Sequence, residues 1–113
     1  MKQIKAIIRP IMLPRVIHAV KELEGLPGIT VSEVKDFGKS RAESAEDSVV
    51  EDSIGYAKKI KLELVVPDSL AEVVVNVISE KAHTGRVGDG KIFVTTVDDV
   101  VKIRTGERGL GAI

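Results

Sequence analysis

The sequence predicts a small α+β domain with elements in the order βαββαβ. Three observations lead there: two β-branched runs each end at a proline and pass into an amphipathic helical stretch, a strictly alternating apolar run opens the second half, and 113 residues suit one compact core. Gln3 to Arg9 is the first run, bounded by Pro10, after which Leu13, Val16, Ile17, Val20 and Leu23 recur at helical spacing. Pro14 suits a first helical turn, where a missing N–H is harmless, and Gly25 with Pro27-Gly28 ends the helix. Ile29 to Phe37 reads as a second strand closed by Gly38. Residues 39–57 change character: Ser40, Ser44, Ser48 and Ser53 mix with Glu43, Glu46, Asp47, Glu51 and Asp52, so a long exposed loop is expected between strands 2 and 3. From Lys59 to Val66, Ile60, Leu62, Leu64 and Val66 alternate with Lys61, Glu63 and Val65, as in a strand with one buried face.

Pro67-Asp68 opens a helix from Ser69 to around Ala82, with Leu70, Val74, Val77 and Ile78 on one face and Val73 broadening it. Gly85, Gly88 and Gly90 make a turn-rich connection, Lys91 to Val97 is the last clear strand, and 98–113 form a tail. The halves echo one another at one constant offset, pairing Pro10 with Pro67, Leu13 with Leu70, Val16 with Val73, Ile17 with Val74 and Val20 with Val77. Two copies of one strand-helix unit imply the ferredoxin-like arrangement, a four-stranded antiparallel sheet with both helices on one face. Ile7, Val65 and Phe93 are candidates for the other face, whose burial against another subunit is the favoured expectation.

Composition narrows the function. Lys plus Arg and Asp plus Glu both total 17, which argues against a general affinity for nucleic acid or anionic lipid. The absence of Cys excludes disulfides and thiolate chemistry, and His18 and His83 alone do not suggest a metal centre. The N-terminal apolar run is too short and interrupted for a signal peptide or a spanning helix, so a cytoplasmic location is expected.

Gly85-Arg-Val-Gly-Asp-Gly-Lys91 matches the opening of a Walker A loop, but Ile92 replaces the required Ser or Thr, and the segment runs from helix to strand rather than the reverse. Closely spaced glycines still let backbone N–H groups converge on an anion, with Lys91 adding charge; on the spacing alone a plain tight turn before a sheet edge is the favoured reading. Lys102 and Arg104 alternate, as though projecting from one face of an extended segment; charge protecting a strand edge is the bland alternative. Two such cation-plus-glycine elements in a neutral chain make a polyphosphate site worth considering. His18 reads as a surface residue and His83 as a helix-terminal one favoured by the dipole. No set of nucleophile, base and orienting acid is visible, so an enzyme is not expected.

Thr84-Gly-Arg-Val-Gly-Asp-Gly-Lys-Ile-Phe-Val94 resembles the C-terminal signature of the PII signal-transduction proteins, the trimeric nitrogen-regulatory family. Ile4 to Pro10, Thr30 to Gly38 and Ile103 to Glu107 add matches, so the resemblance covers nearly the whole chain. It implies a homotrimer in which ATP and ADP compete for clefts between subunits, as ligands rather than catalytic cofactors. By matching position, Gly88, Asp89, Gly90 and Lys91, with Lys102 and Arg104 from a neighbour, hold the phosphates, while Thr30, Gly38, Lys39, Glu63 and Val65 surround the nucleotide. Lys39 and Lys102 stand where the family usually has arginine, keeping charge but losing the bidentate fork.

The 39–57 loop aligns with the family's effector arm, the T-loop, and departs from its pattern. Ser40 replaces the glutamine that helps hold magnesium and 2-oxoglutarate, although Lys59 matches the lysine associated with 2-oxoglutarate, so weak or absent sensing of that acid is expected. Asp52 occupies the position of the uridylylated tyrosine, Val50 that of a phosphorylated serine, and Ser48 that of the arginine that plugs an ammonium channel. The resemblance therefore implies a regulated protein other than the usual one, a transporter or metabolic enzyme met through Ser44, Glu46, Asp47, Ser48, Glu51 and Asp52, whose acidity suits a basic receptor surface. Two other classes share the strand-helix order. An RNA-binding module needs stacking aromatics in its central strands, where this chain has only Phe37, Tyr56 and Phe93 to offer, and a phosphate-processing enzyme of the acylphosphatase type needs a group to position water, which nothing here clearly supplies.

Overall fold

The computed structural model describes residues 1–38 and 55–113. Its elements are β1 (Lys2–Ile8), α1 (Leu13–Lys21), β2 (Thr30–Asp36), β3 (Ala57–Val66), α2 (Asp68–Ala82) and β4 (Gly90–Thr96), the expected βαββαβ order. The strands form one sheet in the order β2-β3-β1-β4, and every adjacent pair is antiparallel. This is the ferredoxin-like arrangement, with the halves interleaved so that β1 and β3 lie side by side at the centre.

Strand alternation sorts the side chains. Ile4, Ala6 and Ile8 of β1 and Ile60, Leu62, Leu64 and Val66 of β3 are buried in the core with Val16 and Val20 of α1 and Val74, Ile78 and Ala82 of α2. Each helix contributes residues four apart, the stripe that one helical face offers to a sheet. Fully burying side chains of this size stabilises by roughly 1.5–3 kcal/mol each. On the opposite face the register aligns Thr30 with Glu63, Ile7 with Lys61 and Lys91, and Lys5 with Glu63 and Phe93. That face is mixed, apolar at Ile7, Val65 and Phe93 and charged between them, and Phe93 is 46% exposed.

The internal repeat needs a shift of one residue. Val16 is buried while its expected counterpart Val73 is 44% exposed; the buried positions match when Ile4 is paired with Leu62, Ile8 with Val66, Val16 with Val74 and Val20 with Ile78. The two prolines mislead because Pro10 opens a separate 3-10 turn (Pro10–Met12), whereas Pro67 is itself the N-cap of α2. Strand β3 begins at Ala57 rather than Lys59, and Tyr56 and Ala57 are buried, so the end of the expected exposed loop belongs to the sheet. Strand β4 ends at Thr96, and the Val97 N–H donates to the Met1 carbonyl at 3.0 Å.

The expected extended segment at Lys102 and Arg104 is not extended. The Lys102 carbonyl accepts from the N–H groups of Thr105 at 3.3 Å and Gly106 at 2.7 Å, so the chain turns there. A Val101–Arg108 bridge and Arg108 Nη1 at 2.6 Å from Asp99 Oδ2 close the excursion into a small arm. Lys102 folds back towards Glu107 at 3.7 Å, while Ile103 at the tip is 99% exposed. Alternation fails because Gly106 lets the chain reverse before a strand can form.

Candidate functional site

The loop from Thr84 to Gly90 is built around one carboxylate. Asp89 Oδ1 accepts from Arg9 Nε at 3.0 Å and from the Thr84 hydroxyl, and Oδ2 accepts from the backbone N–H groups of Thr84 at 2.8 Å and Gly85 at 2.9 Å. His83 Nδ1 stands 3.7 Å from the same Oδ2. Partial burial acts to raise the Asp89 pKa, but the donors on Thr84 and Gly85 and the Arg9 guanidinium outweigh it and hold the carboxyl well below the usual carboxylate range.

Two cations hold the rest of the loop. Arg9 Nη2 donates to the Val87 carbonyl at 2.7 Å, and Lys59 Nζ donates to the Gly88 carbonyl. Lys59 is only 4% exposed although it sits on the open face of the sheet, and its ammonium reaches this loop. Gly88 and Gly90 adopt φ of 103° and 105°, where a side chain is strained. Gly90 must also be glycine for space: a Cβ there would fall 1.7 Å from the Ile7 carbonyl oxygen.

Thr30, Glu63 and Val65 lie towards the other end of the strands, on β2 and β3. Thr30 opens β2 and faces Glu63 across the register; Glu63 accepts from Gln3 Nε2 at 3.2 Å and lies 3.4 Å from Lys61 Nζ. Thr30, Glu63 and Val65 line a concavity of about 390 Å³ together with Gln3, Val100 and Ile113. Gly38 follows β2 and is exposed, Lys102 is half-buried and paired with Glu107, and Arg104 is exposed. Lys39, Ser44, Glu46, Asp47, Ser48, Glu51 and Asp52 lie outside the described residues.

One chain therefore does not bring the two groups together. Strands β2 and β4 are separated by β3 and β1, which at usual spacing is roughly 14 Å, and the Thr30 row and the Gly90 row lie at different heights of the sheet. Sequence reasoning named the glycines, Asp89 and Lys91 but missed Arg9 and Gln3 as partners of Asp89 and Glu63. A sign was available for Arg9: it directly follows β1, whose antiparallel pairing with the last strand carries it to the glycine loop.

Fold and loop together define a ferredoxin-like domain with a glycine loop fixed at one end of its sheet by Arg9, Lys59 and Asp89. The model of the family "Nitrogen regulatory protein P-II" matches residues 1–107. The nitrogen regulatory protein P-II of Azospirillum brasilense is 48% identical over 113 residues, all of both chains, and the P-II 1 protein of Escherichia coli (strain K12) is 43% identical over the same span. The crystal structure of Arabidopsis thaliana PII bound to citrate superposes with a TM-score of 0.78 at 38% identity, covering 99% of this chain and 91% of that one. The chain belongs to the P-II family of nitrogen regulatory signalling proteins. Members of that family are regulators that act on target proteins. Among the described residues no helix is long and apolar enough to cross a membrane.

Proposed function

We propose that this protein is a non-enzymatic cytoplasmic switch, a single domain spanning 1–113, that binds ATP and ADP in clefts between the subunits of a homotrimer and regulates a target protein through residues 39–57. Gly88, Asp89, Gly90 and Lys91 of one copy, with Lys102 and Arg104 of its neighbour, hold the phosphates; Thr30, Gly38, Lys39, Glu63 and Val65 surround the nucleoside. One observation carries the reading. The glycine loop with Lys91 and the Thr30–Glu63–Val65 concavity lie towards opposite ends of the strands of one sheet, which supports reading each as half of a site that an adjoining copy completes. The tail supports the same division, since Val100 and Ile113 line the concavity from which Lys102 and Arg104 would reach a phosphate chain.

Asp89 contributes by shaping the loop, because its carboxylate oxygens already accept from Thr84, Gly85 and Arg9. Lys59 is engaged by the Gly88 carbonyl, and with Ser40 in place of a glutamine the response to magnesium and 2-oxoglutarate is weak or absent. Asp52 offers no hydroxyl for uridylylation, and the acidic segment suits a basic surface on a transporter or metabolic enzyme.

Calorimetry with ATP, ADP and AMP tests the switch. Saturable binding of at least ATP and ADP is expected, with affinity falling roughly tenfold or more in Lys91→Ala as a charge-assisted contact is lost. Absence of saturable nucleotide binding by the wild type overturns the reading.

A further inference from the structure

We infer that Arg9 and Lys59 act together as positioning residues that turn the glycine loop's peptide N–H groups towards its ligand. The inference rests on the nucleotide-binding reading and adds to it the device that presets the loop for an anion. It begins with peptide geometry. In a trans peptide the carbonyl of one residue and the N–H of the next point in opposite directions. Every peptide bond described is trans. The Val87 carbonyl is held by Arg9 and the Gly88 carbonyl by Lys59, so the Gly88 N–H points away from Arg9 and the Asp89 N–H away from Lys59.

Two successive peptides with their oxygens committed to buried or half-buried cations leave a surface made of donors, the concavity that backbone anion sites use. A different holding would fail in a specific way. If these carbonyls were free to rotate outwards, oxygen dipoles would face the phosphates and repel them. Asp89 completes the device, since it fixes Arg9 through Nε and draws the Thr84 and Gly85 N–H groups inwards, leaving the loop one orientation. The Arg9 side chain is 13% exposed and the Asp89 side chain 23%, so both work largely out of solvent. Both cations pack directly against Gly88: a Cβ there would stand 3.3 Å from Arg9 Nη2 and 3.5 Å from Lys59 Nζ.

Arginine is required at position 9 by its fork. One nitrogen serves the carboxylate and another the Val87 carbonyl, which a lysine ammonium at the end of a flexible stem cannot do in the same geometry.

The test compares wild type, Arg9→Lys and Arg9→Gln by calorimetry with ATP, tripolyphosphate and adenosine, with circular dichroism and sedimentation checking fold and assembly. ATP and tripolyphosphate affinity should fall roughly tenfold in Arg9→Lys and further in Arg9→Gln, while any adenosine binding stays at the wild-type value. Equal losses for adenosine and ATP, or unchanged ATP affinity in a folded Arg9→Lys, would overturn the positioning role alone. If Arg9→Gln does not fold, Arg9→Lys carries the decision, because it keeps the charge and the ion pair with Asp89. Failure of the wild type to bind ATP overturns the underlying nucleotide reading instead.

Discussion

Replacing Gly90 by alanine tests the junction of sheet and loop. Gly90 pairs with Ile8 across the β1–β4 register, and its φ of 105° is one that L side chains rarely adopt. An added Cβ would lie 1.7 Å from the Ile7 carbonyl oxygen, 2.8 Å from its carbon and 3.4 Å from Ile8 Cα. All three are backbone atoms, so no side chain can swing aside, and the first rows of the β1–β4 ladder must separate or the turn must change conformation. The left-handed conformation costs about 1–2 kcal/mol, and loss of the adjoining backbone pairing brings the expected total to roughly 3–5 kcal/mol. With an m-value of ~2 kcal/mol/M, the urea midpoint should fall by roughly 2 M. Equilibrium unfolding at one fixed protein concentration measures this. Gly28→Ala is the control, because nothing lies within 4 Å of its added Cβ and its φ is ordinary. If Gly90→Ala unfolds within about 1 kcal/mol of Gly28→Ala, the close approach to Ile7 does not exist.

Asp89→Asn should destabilise the protein by about 1–3 kcal/mol near neutral pH, since the amide leaves the Arg9 charge without its carboxylate. The folded-state pKa of Asp89 lies below its unfolded value, so the wild type's advantage is complete above that unfolded value of about 3.9 and shrinks as pH falls towards the lower folded one. Unfolding midpoints of both proteins measured from neutral pH to below about pH 4 should therefore converge, and a constant gap would contradict the anchoring role. Ile78 is fully buried between α2 and the sheet, so Ile78→Ala should cost about 2–5 kcal/mol by thermal or urea unfolding. Ile103→Ala, at the 99% exposed tip of the tail arm, should stay within about 0.5 kcal/mol of the wild type.

The fold was legible wherever one period dominated. Ile60, Leu62, Leu64 and Val66 announced β3 by alternation, and Val16 and Val20 or Val74 and Ile78 announced helix faces, because each periodicity has one geometric solution. The repeat was visible but misplaced by one residue, since two prolines with different jobs set the alignment. Lys102 and Arg104 misled for a related reason: alternation is a property of strands, and a hydrogen-bonded turn at Gly106 removes the strand without changing the pattern of charges. At the site, glycine spacing pointed to the loop because positive φ is nearly a glycine property. The partners that shape that loop were hidden. Arg9, Lys59 and Asp89 lie in three separate parts of the sequence, and only the pairing of β1 with both β3 and β4 brings them together.

That pairing has a further result. Ile8 is opposite Ile60 on one side and Gly90 on the other, and Asp36 is opposite Ala57, so four strand ends share one rim of the sheet. The glycine loop rises from this rim, and the segment joining Asp36 to Ala57 leaves from it. Lys59, whose ammonium grips the loop, is two residues from the start of β3. Through Lys59 the Gly88 carbonyl is thus joined by one side chain to the strand that follows the long segment. Both ends of that segment therefore begin from one paired row, Asp36 opposite Ala57, on the same rim that carries the glycine loop.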